Sequence, residues 1–415
     1  MLRSHRLFVQ NAFDELQKRK IIKSVEKLNH YYDEPKIHYF SAHKYSSKYE
    51  SSAGLSFDNP SLAQLKCAGE AIERNVLLDT SEQKFKRAIY TKFKKNNALN
   101  PNLLNENVNN LLDIPLLWIE AYEGINKSRK VWVPAQTIFM NRQIHSDEPL
   151  LLPMITTGAA GGFDHESTLL RAIYEVIERD SFMSVYLTKS VPKKINLTSI
   201  PYKKIQNIIA YLRRYQLEPH VFDITTEIGI PSYMVIVVDK TGIGPSFTIG
   251  AKSGYNTPEV LLGACEEALL TRPWSRKIKR QFYGKKILQP LVIKTNPDRA
   301  QFWFQKKMQK QISFFWNGVD TKFNGSKHTF SNKAKELEFT YEKLQKSGYK
   351  LYFGEIQNRL SRKVNYKVYK AIIPQLQPLY INEAEKIIQT KRLSKASQFF
   401  GNKTLIINTV PHPFL

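Results

Sequence analysis

Continuous or alternating apolar runs predict strands at residues 118–122, 130–140, 220–224 and 233–239, and apolar positions at helical spacing predict helices over 202–214 and 331–346. The longest apolar stretches, such as residues 233–238, are strand-length. They fall far short of the ~20 residues that span a bilayer, so no membrane-spanning segment is expected. Residues 95–110, rich in Asn, read as a surface excursion. Arg3, His5 and Arg6 have no apolar run behind them, so no signal peptide is expected.

The same scan finds one pattern three times. Residues 65–74, 170–179 and 262–272 align around a glutamate: Leu65 to Arg74 carries Glu70 and Glu73, the second copy carries Glu175, Glu178 and Arg179, and the third carries Glu266, Glu267 and Arg272. Upstream of each lies a Gly/Ser/Thr-rich stretch, an aromatic, then Asp or Asn: residues 52–58, 157–164 and 248–256. Asp164 reads as an N-cap, and Asn59-Pro60 and Thr257-Pro258 place a cap residue before a proline in the first turn, where its missing N–H costs nothing. Each unit is therefore expected to be a strand or loop, a glycine turn, then a helix with glutamates near its middle.

Helical spacing puts Glu70 with Glu73, and Glu175 with Glu178, on one face, because residues three apart are neighbours. Such a carboxylate pair is mildly unfavourable until a cation joins it. Mg²⁺ suits clustered carboxylates and in nucleotide sites bridges one or two of them to phosphates. Arg74 and Arg179 directly follow the second glutamates and are suited to phosphate oxygens as bidentate donors.

Composition narrows the class. The 415 residues carry 62 Lys and Arg against 37 Asp and Glu, a formal charge of +25. This basic excess suggests polyanion binding or simply a lysine-rich surface. It is densest over residues 272–310, where Arg272, Arg276, Lys285, Lys286, Arg299 and further lysines face a single acid, Asp298. A solvated face is the expectation there, and nucleic-acid binding is not favoured. Two cysteines cannot build a disulfide framework and no Cys/His grouping has zinc spacing, so a reduced, cytoplasmic protein is expected. Cys67 and Cys265 read as buried core residues, and Trp118, Trp132 and Trp274 as packing residues. There is no Walker loop, nucleophile elbow or H-E-x-x-H. Residues 242–247 approach a dinucleotide fingerprint but read as a turn between strands. A nucleotide site here would be carboxylate-lined.

At these motifs the sequence resembles the YcaO family. Its S-x-x-E-x-x-E-R, E-x-x-E-R and E-x-x-Q elements correspond to Cys67 to Arg74, Glu175 to Arg179, and Glu267 to Leu270, and its S-T-G-A-A-A-G pattern to residues 156–162. Residues 175–183, 222–231 and 271–274 look like the streptolysin-type (SagD-like) cyclodehydratase branch, and the resemblance covers residue 45 to the end. It implies an α+β fold, antiparallel sheets supporting helices that converge on a shared ATP/Mg site, with residues 46–415 the catalytic domain; residues 1–45, mixed and basic in composition, are expected to form a separate arm or helix.

The resemblance further implies an ATP- and Mg²⁺-dependent enzyme that cyclises Cys, Ser or Thr of a ribosomally made precursor peptide onto the preceding amide, giving thiazoline or oxazoline. Carried over, Glu70, Glu73, Glu175, Glu178 and Glu267 hold Mg²⁺, while Cys67, Arg74, Arg179 and Arg272 belong to the nucleotide site. The ending Val410-Pro411-His412-Pro413-Phe414-Leu415 resembles the family's proline-rich terminus, which implies that the Leu415 carboxylate is a proton acceptor in catalysis. The resemblance also implies a ThiF-like, leader-recognising partner acting in trans, and it allows a homodimer. Cys67 in place of Ser, Leu270 in place of Gln, and Ala53-Gly54 without the lysine of G-K-G are departures. Leucine neither ligates a metal nor donates a hydrogen bond. Two alternatives remain open: thioamide or amidine formation on the same scaffold, and a non-catalytic precursor-binding subunit.

Overall fold

The computed structural model describes residues 2–28, 31–44, 50–94, 96–282 and 289–415; Lys285, Lys286 and the expected boundary at residue 45 lie outside them. The chain divides into two compact units, one comprising Met1–Asn29, Lys36–Val176 and Phe330–Gln375, the other His30–Pro35, Ile177–Thr329 and Leu376–Leu415.

The first unit contains α1 (Leu2–Lys18) and a three-stranded antiparallel sheet of β1 (Ile22–Lys27), β2 (His38–Lys44) and β3 (Glu50–Ser56), followed by α2 (Pro60–Leu78). Its larger sheet has the order β4 (Lys86–Ala88), β5 (Leu116–Glu123), β13 (Tyr352–Ile356), β14 (Lys367–Ile372), β7 (Ala159–Gly162), with β6 (Lys130–Pro134) pairing β5. Strand β6 is shorter than expected because residues 135–137 turn into a 3-10 helix. Helices α7 (Lys333–Lys346) and α8 (Arg359–Lys363) also belong to this unit.

Within residues 1–45, expected as a separate arm or helix, Leu2–Lys18 forms α1, which packs into the core. Phe8, Val9, Ala12, Leu16 and Ile22 are buried in the same apolar core as Ile72, Val76 and Trp118. The polar stretch 95–110 is likewise tied down: Leu99 and Leu104 are fully buried there. Its Asn-rich composition hides anchors that only the tertiary contacts reveal.

Helix α3 (His165–Leu187) is capped by Asp164, whose carboxylate accepts from the Ser167 amide (2.8 Å), and continues from the first unit into the second. The second unit's sheet runs β11 (Phe247–Ser253), β10 (Ser232–Asp239), β9 (Leu217–Asp223), β8 (Lys193–Ile195), β12 (Asp320–Thr321). Every residue of β10 is buried, the reason its sequence is a continuous apolar run rather than an alternation. Helices α4 (Lys203–Arg214), α5 (Thr257–Phe282), α6 (Asn296–Trp303) and α9 (Thr390–Phe399) complete this unit. Among the described residues no helix is long and apolar enough to cross a membrane.

The basic stretch departs most from its expectation of a solvated face. Arg272, 2% exposed, donates from Nε to both Glu34 oxygens (3.0 and 2.7 Å) and pairs through Nη2 with Asp239 (2.9 Å). Arg276 reaches Glu34 (2.5 Å) and Asp33 (3.0 Å). Asp239 also accepts from the amides of Thr241 and Gly244, so the Gly242-Ile243-Gly244 turn is built around this ion pair. Arg299 is fully buried and pairs with Glu383 (2.8 Å). Lys294, Lys306, Lys307 and Lys310 are exposed as expected. Removing one partner of a buried pair leaves a desolvated charge uncompensated. Arg272→Ala is therefore expected to lower unfolding stability by ~3–5 kcal/mol, read by denaturant titration; a loss under 1 kcal/mol would show that the pair is dispensable.

Candidate functional site

In the first unit the site is built on contact between strand and helix. Asn59 caps α2 by accepting from the Leu62 amide (3.1 Å), with Pro60 following in the first turn. The glycine expected in a turn lies inside β3: a Cβ on Gly54 would sit 2.0 Å from the Ala63 carbonyl oxygen, so only glycine lets this strand lie against α2. The preceding Ala53 amide then donates to Glu70 Oε2 (2.7 Å), while in β7 the Gly161 amide donates to Glu73 Oε1 (2.7 Å). Both E-x-x-E carboxylates of α2 are thus fixed by strand amides.

Charge is unevenly balanced here. Burial, with Glu70 and Glu175 as negative neighbours, pushes Glu73 up to about 8, against the smaller opposing effects of Arg171 and the Gly161 amide. The Tyr366 hydroxyl also hydrogen-bonds to Glu73. Arg74 pairs with Glu70 (2.6 Å), and Arg171 donates to the Gly161 carbonyl (2.5 Å). Lys370, which no sequence motif marks, donates to the carbonyls of Ile155 (2.7 Å) and Thr157 (2.6 Å) in the glycine loop. Burial pushes Lys370 down to about 8, with Glu175 acting in the opposite direction. Cys67 is fully buried, its Sγ 3.8 Å from Ser52 Oγ.

In the second unit the same device recurs with a different charge balance. A Cβ on Gly250 of β11 would lie 2.3 Å from the Ala264 carbonyl of α5, and the Ala251 amide donates to Glu267 Oε2 (2.9 Å). Here cations are interleaved: Arg179 contacts Glu178 (3.0 Å) and Glu267 (2.8 Å), and Lys252 lies 3.3 Å from Glu178. Burial acts to raise Glu267, yet Arg179 and Lys252 with the Arg179 and Ala251 hydrogen bonds outweigh it, and the carboxyl is held below its usual range. Beside this cluster, fully buried Asp180 forms a bidentate pair with Arg392 (2.9 and 2.6 Å), which also holds Glu227 (2.8 Å). The aspartate of the E-R-D run was its only sequence signal.

The sequence-derived residues therefore separate by role. Glu70, Glu73, Arg74 and Glu175 lie in the first unit; Glu178, Arg179 and Glu267 lie in the second. Arg272 is committed to Glu34 and Asp239, away from the role carried over for it. Leu270 is partly exposed one turn beyond Glu267. Cys265 is buried and its thiol is pushed up by burial to about 12, consistent with a core residue. Leu415 is half-buried beside Pro413, Thr271 and Trp303.

Among the described residues no three His, Cys, Asp or Glu side chains converge as a preformed cation cage. The donor chemistry nonetheless fits Mg²⁺ arriving with nucleotide, because such a cation takes one or two carboxylates and completes its shell with phosphate and water. The burial and negative neighbours, Glu70 and Glu175, that keep Glu73 protonated mark where added positive charge is most favourable.

The model of the YcaO cyclodehydratase family, described as ATP- and Mg²⁺-binding, matches residues 58–377. No match is found among curated proteins. Among solved structures the chain is similar to a heterocyclase in complex with substrate and cofactor, with TM-score 0.73 and 14% identity over 97% of this chain and 57% of that one. It is similar to YcaO from Methanopyrus kandleri bound with AMPPCP and Mg²⁺ (TM-score 0.67, 16% identity, 93% of this chain and 94% of that one). The E. coli microcin synthetase McbBCD complex with pro-MccB17 bound gives TM-score 0.61 and 13% identity over 90% of this chain and 96% of that one. These are likenesses of fold, and the chain spans little more than half of the first, 57%.

The raised Glu73 has a thermodynamic consequence. Folded protein holds a proton that unfolded protein loses above its carboxylate range, so this group's contribution is full below pH ~4.5 and is lost as pH rises through about 8. Lys370 acts oppositely, with stability rising only between about 8 and the ordinary lysine value of 10.5. Without Mg²⁺, stability is expected to fall between pH 5 and 8 by up to ~1.4 kcal/mol per unit. Glu73→Gln should flatten that slope in denaturant titrations, and an unaltered slope would refute the assignment.

Proposed function

Because the chain belongs to the YcaO cyclodehydratase family, whose members bind ATP and Mg²⁺, we propose that it is an ATP-dependent cyclodehydratase. Its substrate is the backbone of a ribosomally made precursor peptide, and its product carries thiazoline or oxazoline rings. The observation that carries the reading is the clamping of helix glutamates by strand amides, at Glu70 and Glu73 in one unit and Glu267 in the other, all within the family match.

In this reading a Cys, Ser or Thr side chain of the peptide adds to the preceding amide carbon, and the former amide oxygen leaves as the nitrogen loses its proton and the ring double bond forms. ATP with Mg²⁺ supplies the phosphoryl group that makes this oxygen a leaving group. Glu70, Glu73 and Glu175 are the residues of the first unit suited to hold the cation. Glu178 and Glu267 serve in the second, where Arg179 and Lys252 already offset their charge and orient them. Arg74 and Arg179 are proposed phosphate donors, their forks suited to bidentate contact. Lys252 is an additional cation beside Glu178. Preorganised charges of this kind act where negative charge develops in phosphoryl transfer.

A separate protein is proposed to recognise the precursor's leader segment; the E. coli neighbour, itself a complex, supports such an assembly. The SagD-like stretches at residues 175–183, 222–231 and 271–274 favour ring formation over thioamide formation. Incubation with partner, precursor peptide, ATP and Mg²⁺ is expected to remove the mass of one water per ring. Exchange of oxygen for sulfur would select thioamide formation instead, and unmodified peptide with no ATP consumed would point to a binding subunit. Glu178→Gln is expected to cut peptide-dependent ATP turnover by ~100-fold; unchanged turnover would remove Glu178 from the site.

A further inference from the structure

We propose that Phe414 is a positioning residue that fixes the guanidinium of Arg179 between Glu178 and Glu267. The inference rests on reading those three residues as part of the nucleotide site.

The chain delivering Phe414 is pinned at successive carbonyls. The Tyr186 hydroxyl donates to the carbonyls of Val410 (3.1 Å) and Pro411 (3.0 Å). Arg299 (2.6 Å) and Trp303 (3.2 Å) donate to the carbonyl of His412, and the His412 ring donates from Nε2 to the Tyr380 carbonyl (2.5 Å). Pro411 and Pro413 restrict the backbone on either side of His412. Residues 411–414 are buried, so this segment is built into the second unit rather than trailing from it.

Phe414 is 2% exposed and meets α3 at two points. Its ring packs against Phe182 (centroids 4.9 Å apart), and the Arg179 guanidinium carbon lies 4.2 Å from its ring centroid. Arg179 and Phe182 are three apart and so share a helix face. A guanidinium is planar: an aromatic ring engages its face and leaves the N–H fork to bond in its own plane. Arg179 hydrogen-bonds Glu267 through that fork (2.8 Å) and makes an ion-pair contact with Glu178 (3.0 Å). Its side chain is 12% exposed, and a cation–π contact strengthens when desolvated. Without the ring, the long arginine side chain gains rotamers and the spacing of the two carboxylates loosens.

Phe414→Leu retains apolar bulk against Phe182 but removes the π face, whereas Phe414→Tyr retains it. The binding of AMPPCP with Mg²⁺, measured by calorimetry, is expected to weaken about 3- to 10-fold in Phe414→Leu and to stay within about twofold in Phe414→Tyr. In an Arg179→Met background, Phe414→Leu should change that affinity less than about twofold, because the coupling is already gone. The same cycle run on unfolding stability applies where the Arg179→Met protein binds too weakly to measure: a coupling between the two sites is expected, and additivity counts against the proposal. Equal affinities in Phe414→Leu and the unaltered protein, equal losses in the Leu and Tyr variants, or losses that multiply with Arg179→Met would overturn the positioning role while leaving the nucleotide site standing. If the unaltered protein binds no nucleotide, the nucleotide-site reading fails and this inference fails with it.

Discussion

The contact between a strand amide and a helix carboxylate is the constraint on which the rest of the candidate site depends. It requires a backbone-to-helix approach that no Cβ permits, hence Gly54 on β3 and Gly250 on β11. With strand and helix that close, the neighbouring Ala53 and Ala251 amides donate to the helix glutamates, and Glu70 and Glu267 become fixed acceptors. A mobile surface carboxylate is thereby turned into a preorganised acceptor, its ordering cost met during folding.

The two units use that device with opposite electrostatics. Glu73 is buried among carboxylates and stays protonated to unusually high pH, whereas Glu267 is buried among cations and ionises more readily than usual. Glutamates of the repeated units on α2 and α5 therefore do not share one charge state. The number and sign of close partners decide it, since burial penalises charge in both places.

Much of the basic excess also works inside the protein. Arg272 and Arg276 hold Glu34 and Asp33, Arg392 holds Asp180 and Glu227, and Arg299 holds Glu383 and the His412 carbonyl. These arginines bring distant stretches of one unit together through forked geometry that lysine does not reproduce. The lysines, by contrast, are largely the exposed part of the charge.

The local chemistry was legible in the sequence. Helices at 203–214 and 333–346, the central strand at 232–239, the Asn59 and Asp164 caps and the glutamate spacings depend on neighbours a few residues away. Family membership was legible for the same reason, since motifs are local strings. What the sequence did not disclose were features set by residues far apart along the chain. Residues 1–45 read as a separate arm or helix because their composition is mixed and basic, and only the tertiary contacts show that a few apolar residues at helical spacing seat α1 in the core. Arg272 followed a motif, yet Glu34, 238 residues away, claims it. Lys370 carries no motif, Lys252 and Phe414 lie in stretches read for their neighbours, and all three acquire meaning only from the partners folding brings to them. By itself the sequence determined which side chains are available and how each helix presents them. The tertiary structure alone decided which are charged, paired or held still, because desolvation and ion pairing are properties of neighbours in space.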